Sequence, residues 1–255
     1  MALETRNKLN NLLSEGIPNG LYFSEWLIAH GYSSQLLQQY RNSDWLKLLT
    51  RGVYYRSGEE LSAYAALMCS AKQTQTQLRL AAHSALEVHG VMHFVPMGKP
   101  QCVVTTDQRR KIGWLESELF DRTFEYFYTP QLATAESEEI PYRGLTLPAS
   151  TNELAILECL YLAPRRYSYM DVYYLMEQLS GLRPELMQSL LERTTSYRVK
   201  RMFMYMAEKA NYAWLEDIDV TKVDLGTAVM QLAETDGVYV SKYKMTIPRE
   251  LKEYE

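Results

Sequence analysis

The most constraining part of this 255-residue chain is its first sixty residues, where three short helix-patterned segments precede a β-prone run bracketed by glycines. Leu9, Leu12 and Leu13 recur at helical spacing and predict a first helix from about Leu3 to Ser14. Gly16-Ile17-Pro18-Asn19-Gly20 stops it, because proline and paired glycines do not continue a helix. Ser24 is placed as the N-cap of a second helix, with Glu25 in its first turn near the positive helix end. Trp26, Leu27 and Ile28 give that helix an apolar side, and Gly31 ends it. Tyr32 and Ser33 form a turn, and Ser33 or Ser34 caps a third helix through about Asn42. Two short helices joined by a three- or four-residue glycine-containing turn make a helix-turn-helix, and Gly31 permits that turn.

The third helix divides cleanly. Leu36, Leu37 and Tyr40 can pack on the first two helices, while Gln35, Gln38, Gln39 and Asn42 share the opposite face. That face is rich in amides and free of acid. Amide side chains pair with the N6/N7 edge of adenine in a major groove, and Ser33 or Ser34 can reach phosphates. Arg41 adds a cation at the far end. A solvated surface helix has a similar composition, so the following residues weigh in the reading. Ser43 to Leu49 is expected to form a further short helical turn, and Val53-Tyr54-Tyr55 a strand between Gly52 and Gly58. Three helices and then a basic β-segment is the order of a winged helix. Lys47, Arg51 and Arg56 are expected on the wing, along the phosphate backbone. Charge leans the same way: Arg6, Lys8, Arg41, Lys47, Arg51 and Arg56 outnumber Glu4, Glu15, Glu25 and Asp44, although the whole chain carries net charge −4.

The remainder reads as α+β. Residues 1–72 are expected to form the winged helix-turn-helix domain and residues 73–255 a second domain with a small β-sheet and a helical bundle. Gln73-Thr74-Gln75-Thr76-Gln77 is the polar junction. Helices are expected over about 59–71 and 77–89, and strands over 91–95, 101–105, 123–128 and 142–147, with a loop at 133–139. Ser150 is read as the N-cap of a capping box closed by Glu153. Helical patterns continue over 171–179, after Pro184 and around Met202, Phe203, Met206 and Ala210, and residues 237–243 return to strand.

Other chemistries find little support. His83, His89, His93 and Cys102 lack a recognisable zinc spacing, because Gly90 and the β-like run around His93 separate the two closest histidines. Asp236 with Glu250 and Lys252 has the residue types of a metal-dependent nuclease, but the pair follows Pro248 in a charged tail. No phosphate-binding loop, nucleophile elbow or dinucleotide fingerprint is present, so neither an enzyme nor a cofactor is expected. Arg193, Arg198, Lys200, Arg201 and Lys209 form a second basic cluster, read either as a partner-facing surface or as a solvated helix face balanced by Glu192 and Glu208. Arg109-Arg110-Lys111 is a shorter basic run open to the same two readings. The segment MALETRNKLNNLL has no signal-peptide core, no stretch approaches about 18 apolar residues, and Cys69, Cys102 and Cys159 show no pairing logic, so a cytoplasmic chain is expected.

The run GIPNGLYFSEWLIAHGYSSQLLQQYRNSDWLKLLTRGVYYRSG resembles the N-terminal domain of AbiEi-family antitoxins from bacterial type IV toxin–antitoxin, or abortive infection, systems. Gly20 before a capped helix, Gly31-Tyr32-Ser33, Trp45-Leu46 and Arg51-Gly52-Val53-Tyr54 are the matching pieces, and the likeness continues through Leu80 to Thr106. It departs where Ile112-Gly113, rather than Leu-Pro, precede Trp114. The resemblance implies a repressor that binds inverted repeats in its own promoter through the winged helix. It also implies a C-terminal domain that counters a nucleotidyltransferase-type toxin without a stable complex. A ligand-responsive winged-helix regulator with no toxin partner is the alternative.

Overall fold

Helical spacing of leucines and a glycine-proline stop produce the first helix, α1 (Ala2–Glu15). The computed structural model describes residues 2–92, 98–106, 109, 111–130, 132 and 136–254, with side chains from Lys8 onward. Two units emerge, one from residues 1–80, 96–128 and 139–148, the other from residues 81–95, 129–138 and 149–255. Among the described residues no helix is long and apolar enough to cross a membrane.

The first unit opens with a winged helix-turn-helix. After α1 come β1 (Tyr22–Phe23), α2 (Ser24–Ala29), α3 (Ser34–Asn42), β2 (Leu46–Thr50) and β3 (Val53–Arg56). The strands form an antiparallel sheet ordered β1-β3-β2. Leu12, Tyr22, Leu27, Tyr32, Leu37, Tyr40 and Leu46 make one buried cluster, which draws α1, α2, α3 and the sheet onto a common core. Each such side chain contributes roughly 1.5–3 kcal/mol on burial.

Two expectations change here. Ser24 is the first residue of α2 rather than its cap; Phe23 holds the cap position and makes no side-chain cap bond. Ser43 to Leu49 is no helical turn. Asp44 takes φ +55, Trp45 N–H donates to Tyr40 C=O at 2.9 Å, and Leu46–Thr50 pairs as β2 with β3. The leucines and lysine of this segment tolerate a helix, but pairing with Val53–Arg56 and burial of Leu46 decide for strand.

The unit continues with α4 (Ala63–Gln73), capped by the Ser62 hydroxyl, and β4 (Arg79–Leu80). A five-stranded sheet follows, ordered β6-β5-β4-β8-β7, from β4, β5 (Gln101–Thr105), β6 (Thr123–Phe127), β7 (Ser137–Tyr142) and β8 (Leu145–Ser150). Residues 79–80, expected inside a helix, pair instead with Val104 and Thr105 of β5. Strand β7 begins at Ser137, within the expected loop 133–139, whose residues 133–135 lie outside the described ones. The expected strand 91–95 also falls largely outside them, and Val91 and Met92 are in no strand.

The second unit is helical around α6 (Asn152–Leu162), which is buried on nearly every side. Around it are α5 (Ala82–Val88), α7 (Tyr169–Met176), α8 (Pro184–Arg193), α9 (Tyr197–Lys209) and α10 (Arg249–Glu253). A small sheet ordered β10-β11-β9 is made by β9 (Met230–Gln231), β10 (Gly237–Val240) and β11 (Met245–Pro248). The expected strand 237–243 breaks after Val240 into a 3-10 turn. The cap of α6 is Thr151, whose hydroxyl accepts from Leu154 N–H, and not Ser150. Ser150 Oγ instead donates to Glu158, and Glu153 is taken by Arg183. A capping box does occur one helix later, between Ser168 and Asp171.

Candidate nucleic-acid interface

The turn between α2 and α3 is set by Gly31, whose φ of +84 lies in the region open to glycine. Lys8 Nζ donates to Gly31 C=O at 2.9 Å and ties α1 to that turn. Ser33 caps α3, its hydroxyl accepting from Leu36 N–H at 3.2 Å, while Ser34 opens the helix; both are exposed. Leu37 and Tyr40 are buried and Leu36 packs against them, so the opposite face of α3 turns outward. Gln35, Gln38, Gln39, Arg41 and Asn42 are all exposed on it. Gln38 is the centre of a small network. Its amide donates to Asn42 Oδ1 at 3.0 Å, and Arg41 Nη1 donates to its carbonyl at 3.2 Å. Gln35 and Gln39 have no side-chain partner among the described residues, leaving both amides open to a base edge.

The wing cations do not form one stripe. Thr50 pairs with Val53, so Arg51 and Gly52 are the whole turn of the hairpin, with Gly52 at φ +78. Arg51 is exposed at this tip and has no partner among the described residues. Lys47 and Arg56 lie toward the other end, roughly 10–13 Å along the strands at about 3.3 Å per residue. There Arg56 stands opposite Leu46 and Lys47 opposite Tyr55. Directly paired residues share a face and neighbours alternate, so Arg56 is on the core side with buried Leu46, and Lys47 is on the outer side. Arg56 also donates to Glu59 at 3.3 Å. Of the three expected wing contacts, Lys47 and Arg51 are exposed and Arg56 is held by a carboxylate.

The second basic cluster turns inward. Arg198 donates to the carbonyls of Leu160, Tyr161 and Ala163. Arg201 is 1% exposed and donates to the carbonyls of Leu225, Ala228 and Lys244. Lys200 is buried, and desolvation lowers its pKa from the ordinary lysine value. Lys209 donates to Tyr254 C=O and lies over the Tyr173 ring. Arg193 pairs with Glu136 at 2.6 Å. Arg198, Arg201 and Lys209 thus bind the second unit's own backbone, Lys200 is buried beside the Tyr197 ring, and Arg193 stays on the surface in an ion pair.

The other candidate sites dissolve in the same way. His83 Nδ1 is 2.7 Å from Tyr167 Oη, His89 Nε2 is 3.0 Å from Ser150 C=O, and Cys102 is buried in β5. His93 and Arg110 lie outside the described residues. Asp236 pairs with Arg249 at 2.8 Å, and among the described residues no group of three potential ligands could hold a metal ion.

Two family models match the chain. One, described as the N-terminal domain of an AbiEi antitoxin transcriptional regulator, matches residues 5–97. The other, described as an AbiEi antitoxin transcriptional regulator of a type IV toxin–antitoxin system, matches residues 99–248. The fold is similar to the crystal structure of the RV2827C protein from Mycobacterium tuberculosis, with a TM-score of 0.61 at 14% identity over 93% of this chain and 89% of that one. No curated protein matches.

Proposed function

Given that the chain belongs to the AbiEi family of antitoxins and transcriptional regulators, we propose that it represses its own operon by binding inverted repeats in the promoter and counters a co-encoded nucleotidyltransferase-type toxin. The family is regulatory rather than catalytic, and DNA binding together with a cognate toxin is its general character. The finer reading assigns residues 1–72 to DNA binding and residues 73–255 to antitoxin action without a stable toxin complex. Gln35, Gln38 and Gln39 read bases, while Ser33, Ser34, Arg41, Lys47, Arg51 and Arg56 engage phosphates.

The observation that supports this most is the outward amide face of α3, bordered by Arg41 and free of carboxylates. In a major groove such a face supplies donor and acceptor pairs for adenine, and nearby cations neutralise phosphates.

Two measurements test the proposal. The full chain should retard a duplex from upstream of its own gene at salt concentrations where a scrambled duplex stays free. Co-expression with the neighbouring gene product should restore growth. Promoter binding without rescue would point to a winged-helix regulator lacking a toxin partner, and absence of both would end the proposal.

A further inference from the structure

The hairpin tip is one wall of a cleft of about 600 Å³ inside the first unit. The other walls are the start of α2, the end of α4 with residues 74–76 that follow it, and residues 111–114. The cleft therefore joins the winged helix to two segments that follow it in sequence.

Its chemistry is that of an anion receptor. Arg51 and Lys111 supply the cations, and Ser24, Thr50 and Gln75 supply two hydroxyls and an amide. Arg51, Ser24, Thr50 and Gln75 have no side-chain partner among the described residues. Glu25 is the one carboxylate among the described lining residues. Lys111 pairs with Glu116 at 2.9 Å, but both side chains are largely exposed, at 79% and 64%. An exposed pair of this kind is worth at most about 1 kcal/mol, so it yields readily to a stronger anion. A phosphate oxygen accepts from every one of these donor types.

We infer that this cleft receives a backbone phosphate of the bound duplex, so that Lys111 and Gln75 carry the DNA contact beyond the winged helix. The inference rests on the reading that the hairpin meets DNA, since Arg51 belongs to both the wing and the cleft. Glu25 opposes the phosphate and limits its affinity.

Anisotropy titrations of the full chain test this, using a labelled duplex from upstream of its gene and a scrambled duplex of equal length. The pair Lys111→Ala with Gln75→Ala should weaken both duplexes alike, roughly three- to tenfold at low salt, and reduce the salt slope by about one. Glu25→Gln should tighten both. Lys222→Ala, an exposed lysine of the second unit, is the charge control and should leave the slope unchanged; thermal melts verify folding of each variant. If Arg51→Ala weakens binding while the Lys111/Gln75 pair changes neither affinity nor slope, the cleft assignment is overturned and the wing stands. If neither has an effect, the DNA reading fails and takes the cleft with it. Calorimetry with inorganic phosphate and with AMP covers a free ligand. Binding lost in Lys111→Ala, with DNA affinity intact, would make the cleft a small-anion site and overturn the inference.

Discussion

The side chain of Gln73 lies along the open edge of β1 as a substitute strand: its Oε1 accepts from Phe23 N–H at 2.9 Å and its Nε2 donates to Leu21 C=O at 3.0 Å. Leu21 and Phe23 are buried, so without Gln73 two main-chain groups would lose their hydrogen-bond partner. Gln73→Ala should destabilise the protein by about 1–3 kcal/mol, the cost of leaving buried polar groups unpaired. Gln73→Glu keeps the acceptor for Phe23 but loses the donor and sets a carboxylate against the Leu21 carbonyl. It should be no better than alanine at neutral pH. Urea unfolding measures both, and an unchanged midpoint would refute the strand-substitute role.

Glu153 carries the pH dependence. Its carboxylate is 2% exposed and accepts from Arg183 at three points: N–H at 2.8 Å, Nε at 3.0 Å and Nη2 at 2.8 Å. Burial pushes its pKa up, but the Arg183 hydrogen bonds outweigh burial and hold it below the ordinary 4.5. A carboxyl whose folded pKa is depressed stabilises the fold fully above its unfolded pKa and loses that contribution as pH falls through the folded value. Glu153→Gln should therefore cost about 1–3 kcal/mol at neutral pH, with the larger penalties of fully buried pairs tempered because Arg183 is half in solvent. The gap to the parent protein should narrow as pH falls below the ordinary 4.5 and through the depressed folded value. Denaturation midpoints at three pH values decide it, and a gap independent of pH would exclude the ionised carboxylate as its source.

What the sequence made legible here was local. Stop signals at Gly16–Gly20, the turn glycine at Gly31 and the two-faced pattern of Ser34–Asn42 each act within a few residues, and α1, α2 and α3 follow them closely. The first wing strand was not legible, because Leu46–Thr50 is a strand only through Val53–Arg56 and the bulge near Leu48. Two-residue strands such as β1 and β4 leave no periodicity to read. Thr151 and Ser150 are equally good caps by chemistry, and only the position of Glu158 assigns them. The amide face of the candidate interface was readable from helical spacing. The cleft beside Arg51 was not, because it joins residues 24, 51, 75 and 111, which nothing in local patterning brings together.

The interface residues should separate by kind. Gln38→Ala should relax sequence preference by about 1–3 kcal/mol at the base pair it reads while leaving the salt slope unchanged. Arg51→Ala should weaken all duplexes and lower the slope by about one. Arg56→Ala should lower it less, because Arg56 is on the core side of the hairpin and bound to Glu59. Salt-dependent anisotropy on matched and scrambled duplexes gives all three values. Equal slopes for Arg51→Ala and Arg56→Ala would contradict the two-sided placement of the wing cations.

Arg201 should behave as a structural cation and not as a binding one. Its guanidinium is buried with no ion pair among the described residues and its Nη2 without a hydrogen bond, while its Nε and Nη1 donate to the carbonyls of Leu225, Ala228 and Lys244, which fastens residues 225–244 to α9. Three hydrogen bonds from a charged donor offset the desolvation of that charge, each contributing about 1.5–3 kcal/mol net of water. Arg201→Leu removes them and leaves three carbonyls to find other donors, so the second unit should lose at least about 2 kcal/mol of stability. Arg201→Lys keeps the charge but cannot reach three acceptors in the fixed fork of a guanidinium, so it should rescue only part of the loss. Neither variant should shift the salt slope of DNA binding at temperatures where it remains folded. A slope reduced to the same degree as in Arg51→Ala would return this residue to the nucleic-acid surface, whereas unchanged thermal stability in Arg201→Leu would show that the carbonyl clamp contributes nothing.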